Sequence, residues 1–170
     1  ATGALLNFYR ASVEGSFAET IAAIRQFSRA DAARLRLRDS LRSQEIVRQA
    51  KTGCTIFIEA GMIHYFLYLK ISQALKAAFR VRPLFLDRLA LPQQNSSQGS
   101  YSPGDRLTLA YVFHPRLSQE KSESLLAARS VVYSKIVQKQ EKHEGTDSFF
   151  HLKDERNCIR ISQMLTMADC

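Results

Sequence analysis

Several features are missing from this sequence, and each absence removes a class of protein. No window approaches the roughly 18 consecutive apolar residues of a membrane-spanning helix, so the chain is not expected to cross a membrane. The cysteines Cys54, Cys158 and Cys170 are odd in number and lack CxxC or zinc-type spacing, which argues against a disulfide framework. A reducing, cytoplasmic location is therefore expected.

Motifs that would name a reaction are also missing. The chain contains no Walker loop, no GxGxxG, GxSxG or HExxH pattern, and no DxDxDG calcium loop. The N-terminal residues do not have the basic-then-apolar layout of a signal peptide. The chain also lacks an initiator methionine, which is expected of a processed piece of a longer protein. The sequence therefore indicates architecture more than activity.

The composition is that of one globular domain spanning residues 1–170. Apolar residues make up 45% of the chain and charged residues 24%. Lys and Arg total 24 against 16 Asp and Glu, and the resulting net charge of +8 can attract nucleic acid or anionic surfaces. Because the basic residues are spread along helices without interleaved aromatic residues, the pattern favours a solvated basic surface. Nucleic-acid binding stays open as an alternative.

Apolar residues recur at helical spacing over much of the chain. This spacing predicts helices over residues 4–11, 16–28, 31–50, 62–79, 118–142 and 155–167. The sequence Glu14-Gly15-Ser16 is predicted to separate and cap the first two helices. Residues 89–105, rich in Ser, Gln, Pro and Gly, are predicted to form a long loop that is mobile or functional.

Three other segments predict β-strands. Residues 55–60 are short and nearly all apolar, as in a strand buried on both faces, whereas residues 106–113 alternate apolar and other side chains. With a further strand at residues 82–87, the stretch from 55 to 87 reads as a βαβ unit with parallel strands. The predicted fold is an α/β domain, a three-layer arrangement with a mainly parallel sheet and undetermined strand order.

The candidate site lies where the first predicted strand meets the following helix. Gly61 would let the backbone leave the strand sharply, and His64 would lie in the first helical turn, where the positive helix end favours a neutral imidazole. Such a histidine can bind a metal or accept a proton. Glu59 would need a partner because an unpaired buried carboxylate is costly. A satisfied packing histidine and a structural ion pair are the alternatives.

Arginines and a tyrosine supply further candidates around this junction. Arg34, Arg38 and Arg42 are spaced four residues apart and form one stripe on a predicted helix, which could face an anionic ligand or Glu59. A solvated helical face is the alternative for this stripe. Tyr65 follows His64 and could line a ligand pocket, although an aromatic residue on an apolar helix is commonly part of the core.

These residues carry a resemblance to a known family. Arg38-Asp39, the helical Ile46-Val47, the strand at residues 56–60 and the sequence Gly61-Met62-Ile63-His64 resemble the second half of the TraB/TIKI and ChaN-like group. The resemblance spans about residues 35–87. It implies a metal-dependent hydrolase, or an iron- or haem-associated protein, in which two α/β halves share a sheet.

On that resemblance, His64 matches the second-half histidine, Gly61 its turn and Arg38 the arginine of the preceding helix. His64 and Glu59 would then hold a divalent metal, and His64, Glu59 and Arg38 would form the catalytic set. The family's first-half G-E-x-H segment has no counterpart in this chain. The resemblance therefore implies either a C-terminal half or a relative that has lost the chemistry.

Two functional hypotheses follow from the sequence. The first is a ligand- or metal-binding domain of metal-dependent hydrolase-like ancestry, incomplete or inactive by itself, which would take a small-molecule or peptide ligand at His64, Glu59 and Arg38. The second is a non-catalytic interaction domain that binds a protein partner or nucleic acid through a basic helical surface.

Overall fold

The protein is described by a computed structural model that covers residues 1–90, 101–138 and 149–170. Regular structure in these ranges is entirely helical. The helices are α1 (Thr2–Glu14), α2 (Phe17–Gln49), α3 (Tyr65–Leu75), α4 (Leu86–Ala90), α5 (Pro103–Phe113), α6 (Glu120–Ile136) and α7 (Phe150–Met164).

Helix α2 is the central element of the fold. It contacts α1, α3, α5 and α6, while α7 packs on α6 and α5. Its buried side chains beyond residue 27 are Ser28, Ala32, Leu35, Asp39 and Ser43, a spacing of three and four residues. These mostly small side chains let the neighbouring helices approach the α2 backbone closely, so a helix with few large apolar residues can still be central.

The predicted α/β class, with its parallel sheet, is wrong for the described residues. Residues 106–113 are helical rather than a strand: the buried positions Leu107, Thr108, Tyr111 and Val112 follow helical spacing, and the alternation of apolar residues is incidental. Residues 82–85 are irregular and residues 86 and 87 already belong to α4. Residues 55–60 are not an interior strand, because all six are exposed and none pairs with another strand.

Local capping explains where two helices begin. Ser16 accepts a hydrogen bond from the backbone amide of Glu19, whose carboxylate accepts one in return from the Ser16 amide, which confirms the predicted break before α2. Ser102 and Asp105 form the same reciprocal pair at the start of α5, with Pro103 in the first helical position. The predicted loop 89–105 therefore ends earlier than expected, and its residues 91–100 lie outside the described residues.

The other helix predictions are confirmed in part. The two predicted helices at 16–28 and 31–50 form the single helix α2, because no Gly or Pro interrupts the chain between them. The predicted helix 62–79 corresponds to α3, 118–142 to α6 and 155–167 to α7, with shifted ends. Residues 139–142 lie outside the described residues.

The core lies between α2, α5 and α6. It contains Ile21, Ile24, Ala32, Leu35, Leu107, Tyr111, Val112, Ala127 and Ala128. Phe66 packs against this cluster from α3, and the Arg36 guanidinium lies over the Phe66 ring, 5.4 Å from its centroid. Among the helices that the structure describes, none combines the length and apolar composition needed to cross a bilayer.

Replacing Leu107 by Ala should test this core. Leu107 is fully buried in α5, so Leu107→Ala should lower the free energy of unfolding by about 2–5 kcal/mol through lost burial and a residual cavity. The measurement is urea denaturation followed by far-ultraviolet circular dichroism. Leu37→Ala is the control, because Leu37 is 62% exposed on α2. Equal losses in the two variants would contradict the described packing.

Candidate functional site

The structure gives His64 a partner that sequence reasoning missed. Asp39, on α2, is fully buried, and its Oδ1 lies 2.6 Å from Nδ1 of His64. The other carboxylate oxygen accepts a hydrogen bond of 3.2 Å from the backbone amide of Leu67. Asp39 therefore shares the Leu67 amide with the His64 carbonyl, to which that amide also donates at 3.0 Å, and orients the His64 ring at the same time.

The hydrogen bond that Asp39 accepts from His64 determines which ring nitrogen of His64 can contact another group. A carboxylate accepts only, so the hydrogen in this contact belongs to Nδ1, and Nε2 is the nitrogen left for another group. The His64 side chain is 12% exposed. A carboxylate that orients an imidazole in this way occurs both in metal sites and in acid–base pairs, and also serves simply to hold two helices together.

The other predicted site residues are dispersed around this pair. Glu59 is exposed, and its backbone carbonyl accepts a hydrogen bond of 3.2 Å from the Arg42 guanidinium. Arg34 bonds Asp31 through Nε at 2.7 Å, and Arg38 is exposed on α2. The arginine stripe is thus partly occupied by contacts within the chain.

Tyr65 and Gly61 lie next to other side chains of the protein and do not line a ligand pocket among those described. The Tyr65 ring packs against Tyr68 and Phe113, with centroids 5.4 and 6.3 Å apart. A Cβ built on Gly61 would meet only the Cδ2 atom of His64, at an ordinary 3.9 Å, and Gly61 does not have a positive φ. The turn before α3 therefore does not require glycine.

A divalent metal would need more donors than the Asp39–His64 pair supplies. A closed protein site uses about four ligands for zinc and more for calcium. Within residues 1–90, 101–138 and 149–170 there is no group of three or more His, Cys, Asp and Glu side chains that could hold a metal ion. The described residues therefore do not fit a complete metal site, and no reaction step is derived through a metal.

A second buried carboxylate lies between α2, α5 and α6. The Glu123 side chain is 1% exposed, and its Oε2 accepts hydrogen bonds from Arg25 at 3.1 Å, Arg29 at 2.8 Å and the Tyr111 hydroxyl at 2.6 Å. The backbone amide of Gln119 donates to the other oxygen at 2.8 Å. The Glu123 carboxylate already accepts four hydrogen bonds from the protein, so it has little capacity to bind a ligand.

The electrostatics of Glu123 follow from these contacts. Burial by itself would raise the pKa of its carboxyl, but the hydrogen bonds from Tyr111, Gln119 and Arg25 and the charge of Arg29 lower the pKa to about 2. The Arg29 guanidinium also lies 4.1 Å from the centroid of the Tyr111 ring. Glu123 was not singled out from the sequence, although a carboxylate inside the apolar stripe of α6 is the signal that could have found it.

Residues 42–82, called the basic region below, carry an excess of positive charge. The basic region contains seven Lys or Arg residues and only two carboxylates, Glu45 and Glu59. All of these cations except the half-buried Arg42 are exposed: Arg48, Lys51, Lys70, Lys76, Arg80 and Arg82. Glu45 pairs with Arg48 on α2, so most of the positive charge in the basic region has no acidic neighbour in sequence.

Residues 55–60, called the exposed segment below, run through the middle of the basic region. The backbone has no turn, bend or helix between residues 54 and 61, so it is locally extended. Phe57 is 91% exposed, and Ile56 and Ile58 are 41% and 39% exposed. An extended apolar segment at the surface of a helical domain is unusual and marks a surface with binding potential.

The fold and these clusters define an all-helical domain, for the part of the chain described, with a basic region that carries an exposed extended segment. The chain is 25% identical over 167 residues to an uncharacterised protein of Archaeoglobus fulgidus, an alignment that covers 97% of this chain and 55% of that protein. The chain thus spans about half the length of this relative. No family model matches the chain, and no solved structure does.

The Glu123 cluster generates a prediction about stability and pH. Because the pKa of Glu123 in the folded protein lies below 4.5, its contribution is fully present above pH 4.5 and is lost as the pH falls towards 2. Glu123→Gln should therefore lower the free energy of unfolding at pH 7 by about 3 kcal/mol, because two arginines lose their buried partner. The difference from the unsubstituted protein should shrink as the pH falls below 4.5.

Urea denaturation at a series of pH values measures this effect. Glu120→Gln is a matched control in the same helix, since the Glu120 side chain is 85% exposed and 3.9 Å from Arg25. Its effect should stay within about 0.5 kcal/mol. A pH-independent difference between the Glu123→Gln variant and the unsubstituted protein would contradict the assigned contacts.

Proposed function

We propose that this chain is a non-catalytic interaction domain that binds an acidic protein partner through the basic region. The observation that supports this proposal most directly is the exposed segment, whose apolar side chains are exposed and whose flanking sequence, residues 42–82, carries seven cations. Aromatic anchors surrounded by polar groups are typical of protein interfaces, where apolar contact gives affinity and charge gives steering. The basic region supplies both kinds of contact.

A protein partner is favoured over nucleic acid by the exposed apolar side chains and by the contacts of two arginines on α2. Nucleic-acid binding depends on many Lys and Arg side chains that can reach phosphates. On the stripe that the sequence suggested, Arg34 is paired with Asp31 and Arg42 is bonded to Glu59, as described above. Phosphate groups bind cations and would leave the apolar side chains of the exposed segment in contact with water, whereas a protein partner can bury them.

A reducing, cytoplasmic location is part of this proposal. The thiols of Cys54, Cys158 and Cys170 are all free, and Cys54 is exposed next to the exposed segment. Free thiols at an interaction surface suit a reducing compartment, where they persist without forming disulfides.

Charge reversal within the basic region should test the proposed function. The probe is a short fluorescein-labelled peptide with a Val-Thr-Val-Thr-Val centre and two glutamates at each end, and the readout is fluorescence anisotropy at low salt. Replacing both Lys76 and Arg80 by Glu should weaken binding about tenfold or more, because two attractive charges become repulsive. Arg116→Glu, an exposed site outside the basic region, should change binding little.

A version of the peptide with lysines in place of the glutamates should not bind. Failure of the acidic peptide to bind at low salt would overturn the proposed function. Tighter binding of a single-stranded oligonucleotide, with loss on the same charge reversals, would favour the nucleic-acid alternative instead.

A second candidate function rests on the Asp39–His64 pair. The 2.6 Å contact orients the imidazole, and we propose that Nε2 of His64 contacts a small ligand in a domain of hydrolase-like ancestry. A divalent metal at His64 and Glu59, which the resemblance to the TraB/TIKI and ChaN-like group implies, stays a prediction. The described residues supply too few donors for a closed site.

Zinc titration of the purified protein, with Zn²⁺ as the probe for a ligand of His64 Nε2, tests this second candidate and the metal prediction. His64→Ala should abolish any stoichiometric Zn²⁺ binding, and Asp39→Asn should weaken it about 10- to 100-fold because the ring loses its orienting carboxylate. His114→Ala is the control, since His114 is exposed at the end of α5. Circular dichroism must first show that the variants are folded. Zn²⁺ binding that is unchanged in the His64→Ala variant would refute the metal hypothesis.

A further inference from the structure

The exposed segment leaves its backbone groups without partners inside the chain. Among the described residues, no backbone-to-backbone hydrogen bond involves residues 55–60, although neighbouring turns are bonded from Cys54 to Lys51 and from His64 to Gly61. The one contact made by this backbone is the Arg42 guanidinium on the carbonyl of Glu59. This contact fixes one end of the exposed segment to α2 while leaving its other amides and carbonyls open.

The composition of the exposed segment suits a β-strand. Thr55-Ile56-Phe57-Ile58 is a run of β-branched and aromatic residues, the types that favour strands over helices. An extended backbone with unpaired amides and carbonyls is a template on which another extended chain can form a β-ladder. Recognition by strand addition obtains its affinity from the main chain and its selectivity from side chains on alternate positions.

Charge decides between the possible occupants of this template. A second copy of the chain would bring two basic regions together, each with seven cations and two carboxylates, and the repulsion between them opposes self-pairing. An extended segment with glutamates or aspartates at its ends would instead be attracted by the net positive charge of the basic region. Nucleic acid has no backbone amides with which to complete a β-ladder.

We infer that residues 55–60 are a docking strand onto which an extended, acidic-ended segment of a partner protein adds by β-strand pairing. This inference rests on the proposed function, since it specifies the conformation and chemistry of the acidic partner. Phe57 is the main side-chain contact because it is the most exposed of the apolar residues in the exposed segment.

The experiment compares the acidic peptide described above with the same peptide methylated on alternate backbone nitrogens. Methylation removes the donors needed for a β-ladder but keeps the charge and the side chains, so binding should weaken about tenfold or more. In the protein, Ile58→Pro should cause a similar loss because proline has no amide hydrogen. Ile58→Val, which keeps the amide and the strand preference, should bind like the unsubstituted protein.

Each result separates the inference from the proposed function. Equal binding of the methylated and unmethylated peptides would overturn strand addition while the acidic-partner function stands. No binding of either peptide would overturn both. If the protein sediments as a dimer and the Ile58→Pro variant as a monomer, the occupant is a second copy of the chain. If a single-stranded oligonucleotide displaces the acidic peptide completely, the occupant is nucleic acid. Either of these results would also overturn the inference.

Discussion

The carboxylate of Glu123 joins three helices at one buried point, and the packing of the core depends on it. Its own helix, α6, is linked through Oε2 to Arg25 and Arg29 on α2 and to Tyr111 on α5. Burying one charge is costly, and only this full set of donors makes the arrangement favourable. The requirement fixes how the three helices are rotated about their axes, because each donor must face the same point.

Asp39 has the corresponding role nearer the C-terminal end of α2. It ties the start of α3 to α2 through His64 and the amide of Leu67, and Ser40, Ser43 and Val47 then line an open groove with Lys70 on α3. The order of these contacts shows that α2 and α3 run in the same direction. Two parallel helices that are neighbours in sequence require a connection that returns along α2, and residues 50–64 supply it.

The exposed segment is part of this return connection. The chain runs from the end of α2 back to the level of Asp39 without forming a helix, and residues 55–60 cover part of this path without a turn or bend. The Arg42 contact to the Glu59 carbonyl holds this path against α2. This connection carries Ile56, Phe57 and Ile58, so it places apolar side chains at the surface.

The sequence predicted helices well where local signals were present. The capping residues Ser16 and Glu19 and the spacing of apolar residues in α3, α6 and α7 are properties of neighbouring residues, and these elements were found with shifted ends. The same kind of signal, Ser102 followed three residues later by Asp105, could have shown that residues 106–113 are helical. The apolar alternation of residues 106–113 fits a helix as well as a strand, so by itself it does not identify the element.

The strand preference of residues 55–60, the positive charge in the flanking sequence and the choice of His64 as a candidate follow from the amino-acid sequence alone. The contacts of these residues depend on how the helices pack. Asp39 and His64 are 25 residues apart and Arg25 and Glu123 are 98 apart, so neither pair has a local signature. Strand preference likewise needs a partner strand to become a sheet, and within the described residues the helices pack together without providing one.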